Sequence, residues 1–181
     1  MRDQRAMRAA PQLITCDLVA VLPPAARWVL RGADPARAAA AQAFGTAIPA
    51  TACHAATHGE RAALWLGPDE WLLIAPPADA DAATAALAAA LRDLPHSLVD
   101  VSHRQGALGV GGPLAVTLLA AGCPLDLDAR AFPPGMCTRT MLAKAEVVLW
   151  RTGADSFRLE VWRSFLGYVA AFLAETARGI I

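Results

Sequence analysis

VDVSHRQGALGVGGPLAVTLLAAGCPLDL, residues Val99 to Leu127, is the stretch on which the reading of this chain turns. Ser97–Val101 and Ala107–Val110 are strand-like runs, and Gly112-Pro113 then opens a helix. That helix is predicted to reach Ala121, where Gly122 ends it. Between the strands stands Asp100-Val-Ser-His-Arg104, whose residue types are those of a hydrolase triad. The spacing argues against one. Neighbours on a strand point to opposite faces, so Ser102 and His103 diverge while Asp100 and Ser102 share a face. The glycines of a nucleophile elbow are missing around Ser102. Asp100, Ser102, His103 and Arg104 are therefore read as residues that hold a turn or a subunit contact, with the hydrolase kept as an alternative. Gly106, Gly109 and Gly111 do not fit a dinucleotide fingerprint and are read as turn and close-packing positions.

Upstream, Arg27–Arg31 is predicted as a strand ended by Gly32, and Asp34-Pro35 starts an alanine-rich helix running to Phe44. Pro49–Gly59 is read as loop. Arg61–Leu66 and Trp71–Ala75 form a hairpin across Gly-Pro-Asp-Glu, and Asp79 and Asp81 mark a helix start whose helix reaches Arg92. Downstream, Cys137–Leu142 is a strand, and Glu146–Trp150 pairs with Phe157–Val161 across Gly153-Ala-Asp-Ser. Phe165, Tyr168, Val169, Phe172 and Leu173 share one apolar face of a final helix. The halves repeat each other: Leu64, Gly67, Asp69 and Trp71 recur at constant spacing as Trp150, Gly153, Asp155 and Phe157. The expected fold is α+β, a duplicated strand–helix–hairpin–helix unit with antiparallel sheets covered by helices. It divides into an N-terminal lead-in (1–25), a first half-repeat (26–95) and a second (96–181), all in one compact domain.

The chain has 181 residues, of which 56% are hydrophobic, so it can bury a sizeable core. Sixteen basic residues balance 16 acidic ones, which leaves no electrostatic footprint for nucleic acid or an anionic membrane. No apolar run is long enough for a membrane span. The N-terminal MRDQRAMRAAPQ lacks the apolar core of a secretory signal and reads as a tail. Cys16, Cys53, Cys123 and Cys137 are scattered without a CxxC pair, which points to reduced thiols and a cytoplasmic home. Cys53, His54, His58 and Glu60 form a dense group of metal-type ligands. A single cysteine with loop histidines is not a structural zinc spacing, so no metal is expected there. Trp28, Trp65, Trp71, Trp150 and Trp162 lie in or beside predicted strands and are read as core, with anchoring of a protein interface as the alternative, and Trp71 is a candidate turn-holding or interface residue.

Four segments together resemble the gamma subunit of bacterial heterotetrameric sarcosine oxidase. They are LWLGPDEWLL (Leu64–Leu73), the opening stretch Val99–Leu127, FPPGMCTRTMLAKAEVVLW (Phe132–Trp150) and FRLEVWRSFLGYVAAFL (Phe157–Leu173). That family is similar in turn to the aminomethyltransferase, or T-protein, of glycine cleavage, and the resemblance implies its folate-binding-domain fold. T-proteins carry an acidic pair, with an aspartate that serves folate chemistry, where this chain has Ala145-Glu146 beside Lys144. The resemblance thus implies a vestigial folate region near Ala145 and Glu146, with no catalytic residue, metal or cofactor in this chain. It implies alpha, beta and delta partner subunits carrying FAD, FMN, NAD, zinc and tetrahydrofolate. The complex would oxidise sarcosine to glycine, with hydrogen peroxide and a folate-bound one-carbon unit as further products. The alternatives are a stand-alone folate-binding or aminomethyltransferase-like protein, or the equivalent subunit of another N-methyl amino acid dehydrogenase or oxidase.

Overall fold

The computed structural model describes residues 17–180. The predicted tail falls on residues 1–16 and lies outside them. In chain order the elements are β1 (Val19–Val21), β2 (Ala26–Gly32), α1 (Asp34–Phe44), β3 (Ala55–His58), β4 (Arg61–Gly67), β5 (Glu70–Ala75), α2 (Ala80–Leu91), β6 (His96–Asp100), β7 (Gln105–Gly111), α3 (Ala115–Ala120), β8 (Cys137–Leu142), β9 (Ala145–Gly153), β10 (Ser156–Trp162) and α4 (Arg163–Ile180). They build two five-stranded sheets, ordered β3-β4-β5-β2-β6 and β8-β9-β10-β7-β1. Every strand pairing is antiparallel.

Period-two patterning decides which side of each sheet meets what. On β2, Trp28 and Leu30 turn outward and pack under α1 and α2 with Phe44, Leu87 and Leu91. On β10, Phe157, Leu159 and Val161 turn outward and pack under α3 and α4 with Leu118, Val169 and Leu173. The opposite faces meet each other through Leu64, Leu72, Ile74, Val101, Cys137 and Val148. The result is four layers: helices, sheet, sheet, helices. α1 presents Ala36, Ala40 and Phe44 to its sheet at helical spacing, and Gly45 stops it at φ 70, a conformation that glycine adopts without strain.

The two sheets follow the same order once their elements are matched half by half, and each is a split βαββαβ arrangement with one extra edge strand. The halves exchange an edge, however. β6, grouped with the second half in the sequence reading, pairs with β2 of the first sheet. β1, from the lead-in, fills the matching place beside β7 in the second. The boundary at 95/96 therefore does not coincide with sheet membership. A short bridge, His54 opposite Met136, ties the residues just before β3 to those just before β8.

Three further features differ from the sequence reading. Pro49–Gly59 contains a strand, β3, whose Ala-Ala-Thr-His carries little apolar pattern and is ordered by pairing with β4. α3 begins at Ala115 rather than at Gly112, which has φ 99. On α4 the buried stripe is Val169, Ala170, Leu173, Ala174 and Ala177, while Phe165 and Tyr168 stay 44% and 40% exposed.

Among the described residues, one fully buried ion pair crosses the inter-sheet core. Arg27 on β2 donates through Nε to Glu160 Oε2 on β10 at 2.6 Å, with side-chain exposures of 2% and 1%. Arg27 Nη1 also donates to the Ala25 carbonyl, and Arg158 Nε donates to Glu160 Oε1 at 2.8 Å. Removing one partner of such a pair strands a buried charge. Glu160→Ala is expected to cost about 3–5 kcal/mol, and the joint replacement Arg27→Met with Glu160→Leu much less. Denaturant unfolding of the three proteins checks the difference.

Candidate functional site

The turn after β6 is held by its own polar side chains. Asp100 Oδ1 accepts the Ser102 amide at 2.8 Å, closing an Asx turn. The Ser102 hydroxyl accepts the Arg27 amide at 2.9 Å and faces the Arg27 carbonyl at 3.4 Å. Val101 N donates to the same carbonyl, and Val101 itself is buried between the sheets. Ser102 and His103 therefore sit in a turn and not on a strand, where sequence spacing had put them. The Ser102 hydroxyl is committed to the β2 backbone, and His103 is exposed. The Ser102 side chain, and then its amide, hold the Asp100 carboxyl below the usual aspartate range, helped by the nearby His103.

Beside this turn the two sheets part. The inner faces, packed at the Arg27–Glu160 end, open into a cleft of about 240 Å³. Val29 and Val99 line it from the first sheet, and Gln105, Glu146, Glu160 and Trp162 from the second. Three arginines also line it. Arg31 pairs with Asp69 at 2.8 Å, and Arg139 pairs across the sheets with Glu70. Arg104 instead lies over the Trp162 ring, 5.3 Å from its centroid. Glu146 faces this cleft, whereas Ala145 points the other way and is buried under the helices, so the two residues of the folate-like position do not act on one site.

Trp71 is 1% exposed, packed under the helices of the first half, and its indole N–H donates to the Pro49 carbonyl at 2.7 Å. It holds the loop before β3 from inside the core. Among the described residues, no group of three or more His, Cys, Asp or Glu side chains is arranged to hold a metal. His54 Nδ1 faces the Ala52 carbonyl and His58 Nδ1 the Gly45 carbonyl. Cys53, Cys123 and Cys137 are free thiols, and burial pushes Cys137 up to about 12. Gly106 is glycine for packing reasons: a Cβ there would come within 2.8 Å of Leu166 on α4.

Sequence reasoning missed Arg27, Gln105, Glu160 and Arg139 as parts of this region. Their alternation with apolar neighbours marks a polar strand face, and nothing local says that a second sheet covers it.

The double sheet has a counterpart in the glycine cleavage aminomethyltransferase T from Bartonella henselae. The TM-score is 0.66 at 14% identity, over 88% of this chain and 46% of that one, which shows a shared fold. The fold thus places the protein among α+β proteins built from two stacked antiparallel sheets. A chain of heterotetrameric sarcosine oxidase from Corynebacterium sp. U-96, in complex with pyrrole 2-carboxylate, superposes with a TM-score of 0.82 at 32% identity, over 97% of this chain and 91% of that one. The family described as "Sarcosine oxidase, gamma subunit family" matches residues 31–178. Sarcosine oxidase subunit gamma of Corynebacterium sp. (strain P-1) is 40% identical over 139 residues, 76% of this chain and 68% of that one. Its namesake from Arthrobacter sp is 41% identical over 121 residues, 66% of this chain and 59% of that one. The chain belongs to the sarcosine oxidase gamma subunit family.

Two outcomes follow for the turn. Ser102→Ala loses the bond to the Arg27 amide and is expected to cost about 1 kcal/mol, with no change in hydrolysis of a general ester substrate. A loss of esterase activity in step with the substitution would restore the hydrolase reading. Asp100 has a lowered folded-state pKa, so its contribution is present above the unfolded pKa and disappears as pH falls through the folded one. The stability gap between wild type and Asp100→Ala should be full at neutral pH and close in acid, as thermal melts across that range will show.

Proposed function

We propose that this chain is the non-catalytic gamma subunit of a flavin-dependent, heterotetrameric sarcosine oxidase. The likeness along nearly its whole length to a chain of such an enzyme carries the reading. The complex removes the N-methyl group of sarcosine by oxidation. Glycine is left, oxygen is reduced to hydrogen peroxide, and the one-carbon unit passes to tetrahydrofolate. Its partners are the alpha, beta and delta subunits, which carry FAD, FMN, NAD, zinc and the folate site, and the complex works in the cytoplasm. No helix among the described residues is long and apolar enough to cross a membrane.

The chemistry of the chain's own side chains supports a structural role. The Ser102 hydroxyl is spent on the Arg27 backbone. Glu146 faces its cleft without the second acid of the T-protein pattern, because Ala145 stands in that place and points away. The cleft, at about 240 Å³, is also smaller than the roughly 300–1,000 Å³ of pockets that enclose a ligand of drug size. A reduced folate does not fit these residues.

Co-expression with the three partner subunits should return this chain in stoichiometric amount. Leaving it out should abolish or destabilise the complex. Titration calorimetry of tetrahydrofolate into the isolated chain should show no binding. A stable, fully active complex without the chain would sink the proposal, and tight folate binding to the chain alone would favour the stand-alone reading.

A further inference from the structure

We infer that the open end of the inter-sheet cleft is the seat of a partner subunit, which enters it with an apolar anchor side chain flanked by a carboxylate. The inference rests on the subunit reading above and adds where on this chain the contact lies and what chemistry it takes.

The first ground is the contrast between the two ends of one interface. Where the inner faces meet, Leu64 and Leu72 are 0% exposed and Val148 5%. At the cleft, Val99 on the same inner face is 50% exposed and Trp162 on the facing sheet 46%. A sheet's inner face is apolar because something covers it. Here the second sheet covers only part of it. β6, which carries Val99, is an edge strand with one side unpaired among the described residues.

Size gives the second ground. About 240 Å³ admits one or two side chains and falls short of the usual ligand pocket. An anchor residue in a pocket ringed by Trp and Arg is the usual centre of binding energy between proteins.

Charge gives the third. Of the arginines that line the cleft, Arg31 and Arg139 are already paired with Asp69 and Glu70. Arg104 has no ion pair among the described residues. Its carbonyl accepts the Arg163 amide at 2.8 Å and its guanidinium rests on Trp162, so the cation is held in place before any partner arrives. A carboxylate beside the anchor complements it. Glu146, on the facing sheet and also without an ion pair among the described residues, disfavours a second acid deeper in the cleft.

The test is co-expression of the full-length chain with its partner subunits, scored by recovered complex. Val99→Asp, Trp162→Ala and Arg104→Glu should each lower recovery by at least about tenfold. Trp162→Phe should restore it. Val21→Asp, on the exposed edge strand β1, should leave it unchanged. Hydrogen exchange on the wild-type complex, which no folding defect can confuse, should show β6 and the start of α4 protected on assembly. Wild-type assembly with undiminished recovery of all three variants, or without that protection, overturns the inference and leaves the subunit reading standing. Failure of the wild-type chain to assemble removes the subunit reading and the inference with it. Self-association of the isolated chain that Val99→Asp abolishes, with the complex unaffected, assigns the cleft to a second copy and also overturns it.

Discussion

The Arg27–Glu160 pair sets the relation between the two halves of this protein. Apolar faces of twisted sheets slide over one another at little cost, because hydrophobic contact has no direction. A buried ion pair does have one. With a charge from each half at 2% and 1% exposure, any shift that separates them leaves both without water and without each other. Arg158 and the Ala25 carbonyl complete the set of partners, so the pair also fixes the local strand geometry. The cleft depends on this arrangement too, since Glu160 belongs both to the pair and to the cleft wall.

Local chemistry made much of the fold readable. The Asp34-Pro35 start and the Gly45 stop frame a helix that runs over the predicted residues, Asp34–Phe44. The glycine-turn hairpins and the repeat between Leu64–Trp71 and Trp150–Phe157 correctly announced two similar antiparallel sheets. The losses have physical causes. β1 has three residues and owes its order to β7, far along the chain, while β3 has almost no apolar pattern and is ordered by its neighbour β4. Phe165 and Tyr168 fit the helical stripe by spacing but stay exposed, because the side of α4 that meets the sheet carries Leu166, Val169, Ala170 and Leu173.

The region of interest was half legible. Asp100 to Arg104 drew attention as a polar group between strands, and its turn proves to be built from those same side chains. Ser102 and His103 occupy a turn, so the alternation of a strand does not set their directions. The outcome for Ser102 rests on its bond to Arg27 N. What could not be read was the cleft itself. Val29, Val99, Glu146 and Trp162 come from four strands in two sheets, and only the stacking of those sheets brings them together.

The exchanged edge strand bears on how the chain is made. β1 precedes the whole first sheet in the chain, yet its place is beside β7, with Val19 opposite Val110. The first sheet can close on its own as β6 emerges, because β6 pairs with nearby β2. The second sheet needs a strand that has waited through the synthesis of the entire first half. Long-range pairings of this kind form late, because the loop must close before the contact rewards it. A strand that comes before the first sheet is thus stitched into the second, and the two repeats, similar as they are, cannot mature as independent copies.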